Sequence, residues 1–258
     1  MKFSANLGFL WADLSLPDAI RAAKRAGFDA VECHWPYNTP PAEVTEALLE
    51  TGLPMLGLNT ARGHVTRGEN GLAAVPNRIN AARAAIDQAI DYAVLTHTAN
   101  IHVMAGIANG PTACKTFIEN LRYACHLAAP LGKTILIEPL NAHDAPNYFL
   151  RDTEQAAEII DKAGAPNLKL MFDCYHVGRT EGRVISRLRT LFPLIGHVQF
   201  ASVPDRGAPD QGAVDYAEVF AELNTLGYTA PLGAEYRPEG KTEDSLGWLS
   251  ADWARPSR

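Results

Sequence analysis

Residues 133–141 read KTILIEPLN. Ile135, Leu136 and Ile137 form an apolar run with the character of a buried strand, which ends on Glu138 and is closed at once by Pro139. A carboxylate buried alone costs several kcal/mol, so this one requires a neutralising partner. The pattern recurs downstream. LKLMFDC (168–174) ends on Asp173, LIGHVQFA (194–201) carries Gln199 near its end with His197 on the same face, and PLGAEYRP (231–238) carries Glu235. Upstream, FSANLGF (3–9), FDAVEC (28–33), LPMLGLN (53–59) and NIHVMAG (100–106) read as further buried strands.

Between the strands lie amphipathic helical patterns at 16–27, 77–96, 112–132, 152–164 and 215–227. Asp18 and Asp152 read as cap or first-turn residues, and Gly27, Gly52, Gly132 and Gly227 as helix stops. Eight buried strands alternating with about eight helices imply parallel βαβ units. At about 250 residues such an alternation predicts a single (β/α)8 barrel over residues 1–258, of xylose-isomerase-like type by the resemblance given below. The alternative, a doubly wound open sheet holding a dinucleotide, lacks a Gly-x-Gly-x-x-Gly after the first strand. The longest irregular stretch, TARGHVTRGENGLAAVP (60–76), is long enough to suggest a lid.

Of the 258 residues 47% are apolar and 20% charged, as expected of a globular chain with ample core, and the net charge is −6. That balance argues against a phosphate-backbone binder, and no Lys/Arg block offers a basic patch. No apolar run of about 18 residues suggests a membrane span. The N-terminus reads as a first strand instead of a signal peptide. Cys33, Cys114, Cys125 and Cys174 form no Cys-x-x-Cys pair. Reduced thiols in a cytoplasmic protein are the expectation.

In a barrel the C-terminal strand ends converge on one face, where chemistry sits. Glu138, Asp173, Gln199 and Glu235 therefore aim four oxygen ligands at one point. Three carboxylates with an amide carbonyl suit a hard divalent cation, Mg²⁺ or Mn²⁺, whereas zinc favours His and Cys. Such a cation would neutralise Glu138. Taken singly, Asp173 could merely cap the next helix, and Gln199 could be a bonded core amide.

The chain resembles the hydroxypyruvate isomerase group of the xylose-isomerase-like barrels, which also holds 2-oxo-tetronate isomerases. The resemblance rests on HVMAG (102–106), LIEPLN (136–141), FDCYH (172–176), GHVQFASVPDR (196–206), EYRP (235–238) and SLGW (245–248), and spans essentially the full length. It implies that Glu138 and Glu235 both ligate metal and act as acid and base, with Asp173 and Gln199 completing the metal set. It further implies substrate contacts by His176, which matches a histidine of related ketose epimerases. Arg206, one place beyond that group's arginine, is a candidate clamp for a substrate carboxylate, and His102 a candidate pocket wall. Two loops depart from the group's wording: His64 stands where an aspartate is common, and Ala208 and Ala213 stand in place of acids. A roomier, less negative pocket of that kind would admit a four-carbon acid.

The implied reaction interconverts hydroxypyruvate and tartronate semialdehyde through an enediol, with metal assistance. A 2-oxo-tetronate isomerase is the main alternative, followed by another short sugar-acid or ketose isomerase or epimerase. Two other classes are weaker. A non-catalytic sugar-acid binder would not need paired glutamates, and an endonuclease-IV-like phosphodiesterase would use three metals and several histidines. The expected partner is a short keto or hydroxy acid, with no nucleic acid and no membrane. Association into a homo-oligomer stays open.

Overall fold

The structure, a computed structural model, describes residues 1–254. Eight strands form one parallel sheet: β1 (Phe3–Asn6), β2 (Ala30–Glu32), β3 (Gly57–Asn59), β4 (Asn100–His102), β5 (Thr134–Ile137), β6 (Leu168–Asp173), β7 (Ile195–Phe200) and β8 (Leu232–Ala234). Their order is β2-β1-β8-β7-β6-β5-β4-β3. The two outer strands meet through Leu56 N–H donating to the Val31 carbonyl (2.7 Å) and Cys33 N–H to that of Gly57 (3.0 Å), which closes the ring. The expected (β/α)8 barrel is the observed one. Its helices are α1 (Leu16–Arg25), α2 (Pro41–Thr51), α3 (Ile79–Leu95), α4 (Gly110–Ala128), α5 (Thr153–Ala163), α6 (Cys174–Thr180), α7 (Val184–Leu191) and α8 (Tyr216–Thr225). Among them, α6 and α7 have no counterpart in the helical patterns read from sequence, and of α2 only the stop, Gly52, is marked.

Register explains the division of the molecule into an apolar shell and a polar interior. Residues paired side by side in a parallel sheet share a face. One face of the strands, including Phe3, Val31, Leu58, Ile101, Ile135, Phe172, Val198 and Phe200, belongs to the apolar core packed beneath the helices. The other face points into the barrel, and its C-terminal residues are polar on every strand. Asn6 pairs with Glu32, Asn59 with His102, and Asp173 with Gln199; Glu138 and Glu235 lie just past β5 and β8. The apolar energy of the fold thus lies in the outer shell, leaving the mouth of the barrel free for polar groups.

The helices dock by the same logic. Around Trp248, Phe3 and Phe200 stack edge-on at centroid distances of 5.1 and 5.4 Å, joining β1 and β7 to the C-terminal turn. Asp152 caps α5, its carboxylate accepting from Gln155 N–H at 2.8 Å, whereas Ser15 caps α1 and Asp18 sits in the first turn. Gly52 and Gly132 stop their helices in the left-handed conformation.

The 60–76 stretch is pinned at both ends. Thr60 N–H donates to the His102 carbonyl (2.9 Å), and Ala73 and Ala74 N–H donate to Met104 and Ala105 (3.2 and 2.7 Å). Gly71 and Gly106 cross so closely that a Cβ on Gly106 would lie 2.2 Å from the Gly71 oxygen. Residues 63–68 between these anchors form an exposed tip with one short 3-10 turn, Val65–Arg67. None of the helices among the described residues is long and apolar enough to cross a membrane, and no two of the four cysteines are joined.

Candidate active site

At the C-terminal mouth, Glu138, Asp173 and His176 offer ligand atoms that all lie within 4.8 Å of one another. Asp173 is both cap and site residue. Its Oδ1 accepts from Tyr175 N–H at 2.8 Å to start α6, while its Oδ2 is buried without a hydrogen-bond partner. Glu138 Oε1 and Gln199 Oε1 are also buried and unpartnered. Buried polar atoms are nearly always satisfied, so three orphaned oxygens among the predicted ligands call for a cationic partner. The donor set fits a hard divalent ion.

His176 has a defined tautomer. Its Nδ1 accepts from the backbone N–H of Asn141 (3.0 Å), which can only donate, so a neutral ring carries its proton on Nε2. That Nε2–H faces Asp173 Oδ2 at 3.6 Å and Glu138 Oε1 at 3.8 Å, as a donor and not a ligand. Burial pushes His176 down to about 3, aided by the Arg206 charge, and keeps it neutral. His102, the last residue of β4, is likewise driven down to about 3 by burial, and both its ring nitrogens are unpartnered. Its approach to Glu138, 3.6 Å, is therefore not an ion pair.

The two glutamates occupy opposite environments. Burial, then the charges of Glu235 and Asp173, raise Glu138 well above the usual carboxylate range. Burial also raises Asp173, to about 7, with Glu235 adding to it. Glu235 would be raised by burial too, but Arg206 and His34 outweigh that and bring it to about 2. Glu235 Oε2 accepts from Arg206 Nη2 at 2.8 Å, and Oε1 is met by Asn6 Nδ2 at 3.0 Å and His34 Nε2 at 2.7 Å.

Arg206 is buried between the rings of Phe9 and Tyr175, 4.9 and 4.8 Å from their centroids. Its backbone adopts φ +57°, a left-handed conformation that costs about 1–2 kcal/mol in a residue with a Cβ. Both Nη groups face acids: Nη2 binds Glu235 and lies 3.7 Å from Asp173, and Nη1 lies 3.5 Å from Asp144. Nε is buried and free. Ala208 packs against the core, but Ala213 is exposed and borders a surface groove with Val214, Tyr216 and Trp253, not the strand-end ring.

Glu138, Asp173, Gln199, Glu235, His176, His102 and Arg206 are brought together at this mouth, whereas Ala213, expected to widen the pocket, is not. Sequence reasoning passed over Asn6, Glu32, His34 and Asn141. Glu32 ends the run AVE just as Glu138 ends ILIE, so the same rule applied to β2 would have found it.

The profile of the xylose isomerase-like TIM barrel family matches residues 20–251. The chain belongs to the xylose isomerase-like TIM barrel family. It is 41% identical over 251 residues to a 2-oxo-tetronate isomerase of Pectobacterium atrosepticum, covering 96% of each chain. It is 32% identical over 253 residues to the hydroxypyruvate isomerase of Escherichia coli, covering 96% of this chain and 98% of that one. A solved structure described as an AP endonuclease, family 2, from Brucella melitensis superposes with a TM-score of 0.93 at 34% identity, over 96% of this chain and 98% of that one. With isomerases as full-length relatives, the protein is itself an enzyme, an isomerase of this family.

Proposed function

We propose that the enzyme interconverts hydroxypyruvate and tartronate semialdehyde (2-hydroxy-3-oxopropanoate) through an enediolate. The observation that carries this reading is the placement of Glu138 and Glu235, just past β5 and β8, at one mouth that also holds the orphaned oxygens of Glu138, Asp173 and Gln199. Isomerisation removes a proton from C3 of hydroxypyruvate and returns one to C2, while a proton passes from the C3 oxygen to the C2 oxygen. A carboxylate at each side of the substrate can take and return the carbon-bound proton, each transfer contributing on the order of 10²–10⁴-fold. A Mg²⁺ or Mn²⁺ ion held by Glu138, Asp173, Gln199 and Glu235 would supply Lewis-acid stabilisation of the enediolate charge. His176 donates from Nε2 and Arg206 from its free Nε to substrate oxygens, and His102 walls the pocket beside Glu138. Asn6, His34 and Arg206 hold Glu235 in place.

The substrate's carboxylate needs a cation other than Arg206, whose Nη groups already face acids. Arg62, two residues beyond Thr60, stacks on Trp35 with its guanidinium 3.9 Å from the ring centroid. Trp35 in turn packs on His34 (5.0 Å), beside Glu235, and burial lowers the Arg62 pKa. Arg62 has no acid partner among the described residues, and we assign it to the carboxylate. An Arg62→Gln variant should raise KM for the keto acid about 10–100-fold, the worth of a charge-assisted hydrogen bond. Inhibition by the neutral ketose dihydroxyacetone should stay unchanged, and equal losses for both would refute the assignment.

A 2-oxo-tetronate substrate is the second reading, favoured by the Pectobacterium relative at 41% identity. Side-by-side kcat/KM values with Mg²⁺ or Mn²⁺ decide between the two. Hydroxypyruvate should be preferred, and a clear preference for the four-carbon acid would reverse the order. For phosphodiester cleavage, a three-metal centre would be needed. The described residues hold one candidate metal group, Glu138, Asp173 and His176, in a chain of net charge −6.

A further inference from the structure

Beneath the proposed cation site lies a second, buried carboxylate that the mechanism does not use. Glu32 is 3% exposed, at the end of β2. Its Oε1 accepts from Gln199 Nε2 at 2.8 Å and from Asn6 Nδ2 at 3.0 Å, and its Oε2 lies 2.6 Å from His197 Nε2. No Lys or Arg pairs with it among the described residues. The barrel is shaped to hold it: a Cβ at Gly233 would lie 2.6 Å from Glu32 Oε1 and 2.8 Å from Gln199 Cγ.

A side-chain amide has nearly the same shape in either flip, so its neighbours decide which end points where. Packing alone would let Gln199 present either NH₂ or oxygen to Glu138 and Asp173. Glu32 Oε1 is held as an acceptor by Asn6 Nδ2, so it draws the Gln199 NH₂ to itself and turns the Gln199 Oε1, unpartnered in the structure, the other way. Asn6 is oriented independently, because its Oδ1 accepts Gly8 N–H at 2.9 Å. Its Nδ2 therefore donates to both Glu32 and Glu235, tying the lower carboxylate to the upper one.

Resting on the cation reading above, we propose that Glu32 is a positioning residue that sets the polarity of the Gln199 amide, so that its carbonyl oxygen and not its NH₂ faces a divalent cation. Partners behind a ligand typically govern metal affinity by about 10–100-fold. Glu32→Leu leaves no acceptor beneath Gln199, which removes the constraint. In Glu32→Gln the Asn6 amide, fixed by Gly8, still holds an oxygen at the Oε1 position, so Gln199 keeps its polarity although the charge is gone.

The test is a Mn²⁺ titration of each whole protein, with free ion read by electron paramagnetic resonance and folding by circular dichroism. Glu32→Leu should bind Mn²⁺ about 10–100-fold more weakly than wild type with a native spectrum, and Glu32→Gln should keep most of the wild-type affinity. Wild-type affinity in Glu32→Leu would overturn the proposal while leaving the cation reading intact. Binding as weak in Glu32→Gln as in Glu32→Leu would also overturn it, because the charge of Glu32 and not the polarity of the amide would then matter. If Glu32→Leu does not fold, Glu32→Met takes its place in the same comparison. Absence of Mn²⁺ binding by wild type would instead sink the cation reading itself, and the proposal with it.

Discussion

Glu235→Gln is expected to lower kcat by at least about 10²-fold while the barrel still folds. Glutamine preserves the volume of the side chain and one acceptor oxygen, but it cannot exchange a proton with carbon. The surroundings add to the loss. Arg206 Nη2 donates to one Glu235 oxygen, and Asn6 Nδ2 and His34 Nε2 meet the other. Whichever way the new amide turns, its NH₂ faces one of these groups. A buried donor left without an acceptor costs about 1–3 kcal/mol. The variant should therefore melt somewhat lower than wild type and still give a native circular dichroism spectrum. Steady-state kinetics with hydroxypyruvate provide the check. Near-wild-type turnover would remove Glu235 from the chemistry.

How much of this was legible in the sequence follows from where the information lies. The second half of the barrel announces itself, because ILIE, LKLMFD and IGHVQF are long apolar runs with a polar terminus. The first half uses three-residue strands, β2 to β4, whose polar ends are harder to separate from the following loops. Asn6 and Asn59 are inward residues by register, and register is a property of the closed sheet, not of any one segment. The two readings open for Asp173, helix cap or ligand, turn out to be compatible, one carboxylate oxygen serving α6 and the other left free.

The unannounced helices have equally local reasons. α2 begins at Pro41 after Pro40 and has no side-chain cap, and α7 follows Arg183, a non-glycine residue at φ +47° that offers no capping group either. With no capping side chain at the start, such a pattern is easily passed over, even where Pro41 and Gly52 bracket α2. Arg206 was named from the resemblance, but what holds it was out of reach for another reason. Its place in the mouth depends on a left-handed backbone and on two aromatic rings, Phe9 and Tyr175, brought from distant parts of the chain.

Exhaustive chelation is expected to abolish turnover, by at least about 10³-fold if the cation contributes several kcal/mol to the enediolate, and Mn²⁺ or Mg²⁺ should restore it. The electrostatics of the chain alone point the same way. Glu32, Glu138, Asp173 and Glu235 are all buried within one mouth, and Arg206 is the one guanidinium bonded to any of them among the described residues. Without a further positive charge, burial and mutual repulsion push Glu138 and Asp173 toward holding protons. A divalent ion relieves that repulsion by binding the folded chain alone. At about a hundred times its Kd it should add about 2.7 kcal/mol, or about 5–10 °C in Tm for a chain of this size. Asp173→Asn, which keeps an oxygen and the helix cap but loses a charge, should show a much smaller rise with the same ion. Calorimetric melts of wild type and variant, with and without Mn²⁺, read the effect directly. Full activity after chelation, or equal melting shifts in both proteins, would leave the orphaned oxygens of Glu138, Asp173 and Gln199 to be explained by substrate alone.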